Sequence, residues 1–173
     1  MKILSIPNES GKMTCFWEEG ASSGKKPLII CLADKEEDAQ RDLNLLFSQA
    51  NGASVAALVI YPQTEEQIVG DWLYSLRQRE DVDENRITLT GTLSAADWVW
   101  RLGSHFPQWF AGICAVGGYG DPYEVRAMKN VPVRAYLVEE EPQIIRKGKV
   151  AVNVDQLVMS LLTAGSECVE MRS

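Results

Sequence analysis

"LTGTLSAADWVW" (Leu89–Trp100) decides how this chain is read. Its first half alternates like a strand and closes on Gly91, and its second half runs from Ser94 into a helix. A strand that passes so abruptly into a helix packed back against it needs small residues at the crossing. Gly91, Ala95 and Ala96 supply them. Between Gly91 and Ala95 the turn carries Thr92, Leu93 and Ser94.

Working outward, "RITLTG" (Arg86–Gly91) is the strand that feeds the turn. "PLIICLA" (Pro27–Ala33) and "SVAALVIYP" (Ser54–Pro62) are near-continuous apolar runs, as strands buried on both faces must be. "AGICAVGG" (Ala111–Gly118) and "VPVRAYLV" (Val131–Val138) extend the series, and "ECVEMR" (Glu167–Arg172) ends it. Helical patterns fall between the strands. Leu43, Leu46 and Phe47 form a stripe behind an acidic first turn, with Asp34 as the expected N-cap. Ile68, Trp72 and Leu76 repeat the pattern behind a capping box of Thr64 and Gln67. "NVDQLVMSLLTAG" (Asn153–Gly165) has an Asn start and a Gly stop. Two short runs open the chain, "KILSI" (Lys2–Ile6) and "MTCFW" (Met13–Trp17), around the turn-rich "PNESGK".

Strand–helix alternation implies right-handed crossovers and a sheet covered on both faces. The expected architecture is one doubly wound α/β domain over residues 1–173. About eight strands form a single, mostly parallel sheet with an antiparallel N-terminal hairpin, and Arg86–Gly91 lies away from its edges.

The net charge of −7 disfavours nucleic acid and anionic membrane as partners. The only basic cluster, "RKGK" (Arg146–Lys149), reads as a solvated turn. "MKILSIPNES" has too short an apolar run for a signal sequence and no window is long enough to span a membrane, so a cytoplasmic location is expected. Cys15, Cys31, Cys114 and Cys168 stand singly in strand-like runs, and read as buried, reduced thiols. With one histidine, His105, no zinc site is expected. "VGGYGD" (Val116–Asp121) lacks the spacing of a phosphate loop, and no cofactor is expected.

The order of elements together with three motifs resembles the α/β-hydrolases, in the esterase branch related to polyhydroxybutyrate depolymerases and feruloyl esterases. Where that branch has "IDPDRIYLTGLSMGG", this chain has "VDENRITLTGTLSAAD" (Val82–Asp97). "ARHPDLFAG" is matched by "GSHFPQWFAG" (Gly103–Gly112), and a "PVWAFHGEKDP"-like strand by "PVRAYLVEEEP" (Pro132–Pro142). The resemblance implies the α/β-hydrolase fold in a minimal form without a lid, and ester hydrolysis by a serine, a histidine and an acid.

Position by position, that machinery is degenerate. The nucleophile's place in G-x-S-x-G is taken by Leu93, flanked by Gly91 and Ala95. Ser94 stands one residue late, where it caps the helix or lends the backbone N–H that the family uses for its oxyanion. The family's His-Gly after the first parallel strand, which supplies the second oxyanion donor, is replaced by Ala33-Asp34, and a carboxylate there opposes a developing negative charge. The triad acid corresponds to Glu141. The triad histidine would follow the last strand, but the sequence ends at Ser173. His105 cannot substitute, since eleven residues of helix set it roughly 16 Å from Ser94.

The resemblance thus points to a non-catalytic hydrolase-fold protein with a vestigial cleft at Ala33, Asp34, Leu93 and Ser94, binding a small molecule or a protein, or serving as a structural subunit. Two alternatives stay open. One is an active esterase using Ser94 in a shifted elbow, with Glu141 as acid, or a histidine from another chain. The other is a piece of a longer hydrolase. The final strand Glu167–Arg172, as an open sheet edge, invites a second copy. If the turn is a relic elbow, Leu93 has a positive φ, and its side chain points into the former cleft and partly fills it.

Overall fold

In the computed structural model, which describes residues 1–5 and 13–173, the chain forms two compact units divided at Thr88/Leu89. The first holds β1 (Lys2–Ser5), β2 (Met13–Glu18), β3 (Lys26–Ala33), α1 (Glu36–Gln49), β4 (Ser54–Ile60) and α2 (Glu66–Arg77). β5 (Val82–Thr92) carries the chain into the second unit. There follow α3 (Ser94–His105), β6 (Gly112–Val116), β7 (Tyr119–Gly120), β8 (Val133–Tyr136), β9 (Gln143–Arg146), β10 (Lys149–Asn153), α4 (Val154–Thr163) and β11 (Val169–Arg172). Short 3₁₀ turns occur at Pro107–Trp109 and Glu124–Met128.

Among the described residues, eight strands make one sheet in the order β1-β2-β4-β3-β5-β6-β8-β11, so the strand feeding the sharp turn is internal. β1 and β2 pair antiparallel, as do β2 and β4. β3 and β4, β6 and β8, and β8 and β11 pair parallel. This is the mixed α/β sheet that the sequence implies. The turn expected at Pro7–Lys12 lies outside the described residues.

In the first unit every residue of β4 is buried. α1 lays Ala39 and Leu43 over Val55, Ala57 and Val59 of β4 and over Phe16, Cys31 and Ala33. Burial pushes the thiols of Cys15 and Cys31 up to about 12, so both stay protonated and act as small apolar groups. The helix starts fall one residue later than expected. Lys35 and Glu65 are the N-caps of α1 and α2, and neither makes a side-chain cap bond. Asp34 and Thr64 stand just outside.

In the second unit α3 buries Ala95, Ala96, Val99, Trp100 and Leu102. α4 begins as its sequence implies, the Asn153 carboxamide accepting from the Gln156 N–H at 3.3 Å. It ends in a Schellman turn: Ser166 N–H reaches Leu161 C=O and Gly165 N–H reaches Leu162 C=O, with Gly165 at φ 91°.

Two findings depart from the sequence reading. β7, β10 and β9 form a second, three-stranded antiparallel sheet. "RKGK" is indeed a turn, but one that joins β9 to β10, with Lys147 at φ 47° and Gly148 at φ 75° as a two-residue hairpin loop demands. Secondly, Cys168 is exposed and Cys114 is half-buried, so only Cys15 and Cys31 are buried thiols. Cys168 precedes β11 rather than sitting in it.

Candidate functional site: a sharp strand-to-helix turn and its strap

The turn after β5 has the shape that the sequence implies. Leu93 is the N-cap of α3 with φ 52° and ψ −121°, a left-handed φ that side-chain-bearing residues adopt only under constraint. Two backbone bonds provide it. Leu93 N–H donates to Val116 C=O at the end of β6 (2.8 Å), and Leu93 C=O accepts from Ala96 N–H (3.0 Å). Packing provides more. A Cβ on Gly91 would lie 2.8 Å from Val99 Cγ2 and 3.2 Å from Ala95 O, so the strand and α3 already touch.

The expectation that the Leu93 side chain fills a cleft is not met: it is 56% exposed. Leu93 is therefore held at a strained φ with little burial to offset the strain. Ser94 is the first residue of α3, one place beyond the N-cap, and its side chain is exposed. It does not occupy the tip.

Beneath the elbow, α3 is tied to the loop after β6. Gly117 and Gly118 have φ of 70° and 87°, and a Cβ on Gly118 would come within 2.7 Å of Ala96 Cβ. Only glycine permits that approach. The next two N–H groups meet carboxylates. Gly118 N–H donates to both oxygens of Glu140 (3.2 Å each), and Tyr119 N–H donates to Asp97 Oδ1 (2.5 Å). Trp100 Nε1 donates to Gly117 C=O at 3.0 Å. The N–H groups that a phosphate loop would present are thus engaged by the chain's own anions.

Asp97 is 5% exposed, and its second oxygen is ion-paired with the Arg146 guanidinium. Burial raises the Asp97 carboxyl above the ordinary carboxylate range, with the Tyr119 N–H and Arg146 opposing the shift. Arg146 comes from β9, so the β9–β10 hairpin is strapped onto α3 through one buried carboxylate. Sequence reasoning missed this pair. Asp97 was visible only as part of the "SAAD" crossing, and its partner lies far later in the chain, in a turn read as solvated.

The remaining expected residues are dispersed. His105 closes α3 at the end opposite the elbow and meets Glu124 Oε2 at 3.0 Å. Glu141 is exposed, and the member of its acidic triplet that turns inward is Glu140. Ala33 ends β3, buried, and Asp34 follows half-buried; both belong to the first unit, whereas Leu93 and Ser94 belong to the second. In the second unit an open cleft of ≈ 470 Å³ lies where β8 ends and α4 begins, lined by Leu137, Val138, Glu139, Glu140, Asn153 and Asp155. Among the described residues no group of three His, Cys, Asp or Glu side chains could hold a metal ion. No described helix is long and apolar enough to cross a membrane.

No family model matches the chain, and no curated protein does. Solved structures match in fold. A thermostable esterase superposes with a TM-score of 0.71 at 18% identity, over 92% of this chain and 49% of its own. This chain therefore spans about half the length of that enzyme. A Klebsiella pneumoniae protein provisionally called a dienelactone hydrolase gives 0.71 at 18% identity, over 98% and 82% of the two chains. Carboxyl esterase 2 of the mycorrhizal fungus Tuber melanosporum gives 0.69 at 12%, over 99% and 75%. At such identities the likeness is one of fold: the chain has the architecture of α/β-hydrolases.

Proposed function

We propose that this is a non-catalytic protein on an α/β-hydrolase fold, with a binding or structural role in place of ester hydrolysis. One observation carries the reading. The elbow that would aim a nucleophile is kept, strained φ included, yet it presents the aliphatic, exposed side chain of Leu93. A hydrocarbon at that point can neither attack a carbonyl nor accept a proton. Ser94, already inside α3, reaches the tip only if Gly91 and Ala95 repack, and those are the residues on which the crossing depends.

Hydrolysis of short-chain nitrophenyl esters tests the proposal. The purified chain is expected to show no turnover above background. Leu93→Ser, which restores the elbow sequence, is expected to fold and remain inactive, because the single histidine of these 173 residues is held by Glu124 at the far end of α3. Turnover by the unmodified chain that disappears in Ser94→Ala would falsify the proposal and establish a shifted-elbow esterase.

A further inference from the structure

We infer that β11 is a self-complementary edge that pairs with β11 of a second copy, antiparallel about Met171, to give a twofold dimer with a continuous sheet. β11 is the last strand of the eight-stranded sheet and, among the described residues, has β8 on one side only. Its inward and outward groups can be assigned. Val133 N–H donates to Cys168 C=O (2.9 Å) and Leu137 N–H to Arg172 C=O (2.7 Å). Backbone groups alternate sides along a strand, so Glu170 also faces β8, while the N–H and C=O of Val169 and Met171 point out from the open edge.

The side chains choose the partner and the register. Glu170 and Arg172 share the face that carries exposed Arg134, and Glu170 already accepts from Arg172 (Nε 2.8 Å) and from Arg134 (Nε 3.3 Å). Antiparallel pairing with Met171 opposite Met171 sets each Glu170 directly across from Arg172 of the other copy. It also makes Met171 a hydrogen-bonded pair, using the outward N–H and C=O of both copies. A register shifted two residues either way sets Glu170 against Glu170 or Arg172 against Arg172, which repel. On the opposite face, that of buried Val133 and Ala135, two Met171 side chains (41% exposed in the single chain) meet. No other partner is specified so fully by these residues: the edge is its own complement under a twofold axis.

Sedimentation of the full chain at micromolar concentration tests this. The expected mass is twice that of the chain. Glu170→Lys sets a new lysine against Arg172 of the other copy, and Arg172→Glu sets a new glutamate against Glu170. Each variant is therefore expected to fall to the monomer mass with its circular dichroism unchanged. An equimolar mixture of the two is expected to regain the doubled mass, because both cross-strand pairs then join opposite charges. Met171→Pro removes an outward N–H that β8 does not use, and is expected to give a folded monomer. A monomeric unmodified chain, a charge reversal that leaves the dimer intact, or a mixture that stays monomeric would each overturn the proposal.

Discussion

Two turns in the second unit hold a side-chain-bearing residue near φ +50°, and they do so for different reasons. Lys147 (φ 47°) sits in the exposed β9–β10 hairpin and is followed by Gly148, which has open space around its Cα. Two residues must reverse the chain there, and left-handed φ at both is the conformation that suits the strand twist. Leu93 (φ 52°) has no such local demand. Its conformation is imposed by neighbours: Gly91 against Val99 and Ala95, and the bond from its N–H to Val116. The hairpin turn is shaped by the residues in it, and the elbow by the residues around it.

The largest test of that contrast is a methyl group. Gly91→Ala puts a Cβ 2.8 Å from Val99 Cγ2 and 3.2 Å from backbone oxygen Ala95 O, so α3 has to move. A loss of about 3 kcal/mol in urea unfolding is expected, the upper part of the range for overpacking a tight core. Gly148→Ala meets nothing within 4 Å and suffers only its φ of 75°, so about 1 kcal/mol is expected. Equal losses would mean that the elbow is no more constrained by packing than the hairpin.

The strap gives the next effect. Arg146→Ala leaves the buried Asp97 carboxylate without its counter-charge and is expected to cost about 2 kcal/mol at neutral pH, moderated because Arg146 is itself half-exposed. Asp97→Asn keeps an acceptor for the Tyr119 N–H and removes the desolvated charge, so its loss is expected to be less than half as large. Acid moves the two deficits in opposite directions. Burial raises the Asp97 carboxyl, so the folded state holds its proton to higher pH than the unfolded chain does. Stability from this group is full below the ordinary carboxylate range and falls as pH rises through the raised value. The Arg146→Ala deficit is therefore expected to shrink on acidification, measured as thermal midpoints against pH, while the Asp97→Asn deficit grows, because that variant lacks the group whose protonation stabilises the unmodified chain.

These regions also differ in how well the sequence announced them. The buried strands were legible because "PLIICLA" and "SVAALVI" admit no solvated face. The elbow was legible down to the sign of φ at Leu93, because the resemblance of "GTLSA" to G-x-S-x-G implies it and Gly91, Ala95 and Ala96 keep the crossing close. The second sheet was not. "QIIRKGKVAVN" is a thin ribbon with Ile145 and Val150 exposed (75% and 50%), so its apolar residues follow no burial pattern. Helix starts slipped by one residue because Asp34 and Thr64 are good caps by type, yet extended backbone at Lys35 and Glu65 takes the position. The Asp97–Arg146 pair joins residues far apart in the chain, and nothing local to either one signals it. For the candidate site, the tip residue could be read directly. Where its side chain points could not: exposure depends on what surrounds the turn, and Leu93 proved open where burial was expected.

The smallest effect isolates the strain itself. At Leu93 the left-handed φ is of order 1–3 kcal/mol unfavourable for a leucine. The side chain is 56% exposed, so little apolar burial is lost when it is removed. Glycine adopts this φ freely but adds roughly 0.5–1 kcal/mol of backbone entropy to the unfolded chain. Leu93→Gly should therefore stabilise the fold by about 1 kcal/mol, provided that the neighbours keep the turn in place. Lys147→Gly carries the same entropic penalty, and it relieves a turn whose neighbours impose nothing on it. Its net change is expected to lie within a few tenths of a kcal/mol of zero. Both are read from paired urea titrations. A stabilised Leu93→Gly beside a neutral Lys147→Gly shows strain imposed on the elbow from outside. If Leu93→Gly destabilises the chain, the leucine is making contacts within the fold that outweigh the relief of its strain, and the conformation of the turn is set by its own side chain as well as by its neighbours.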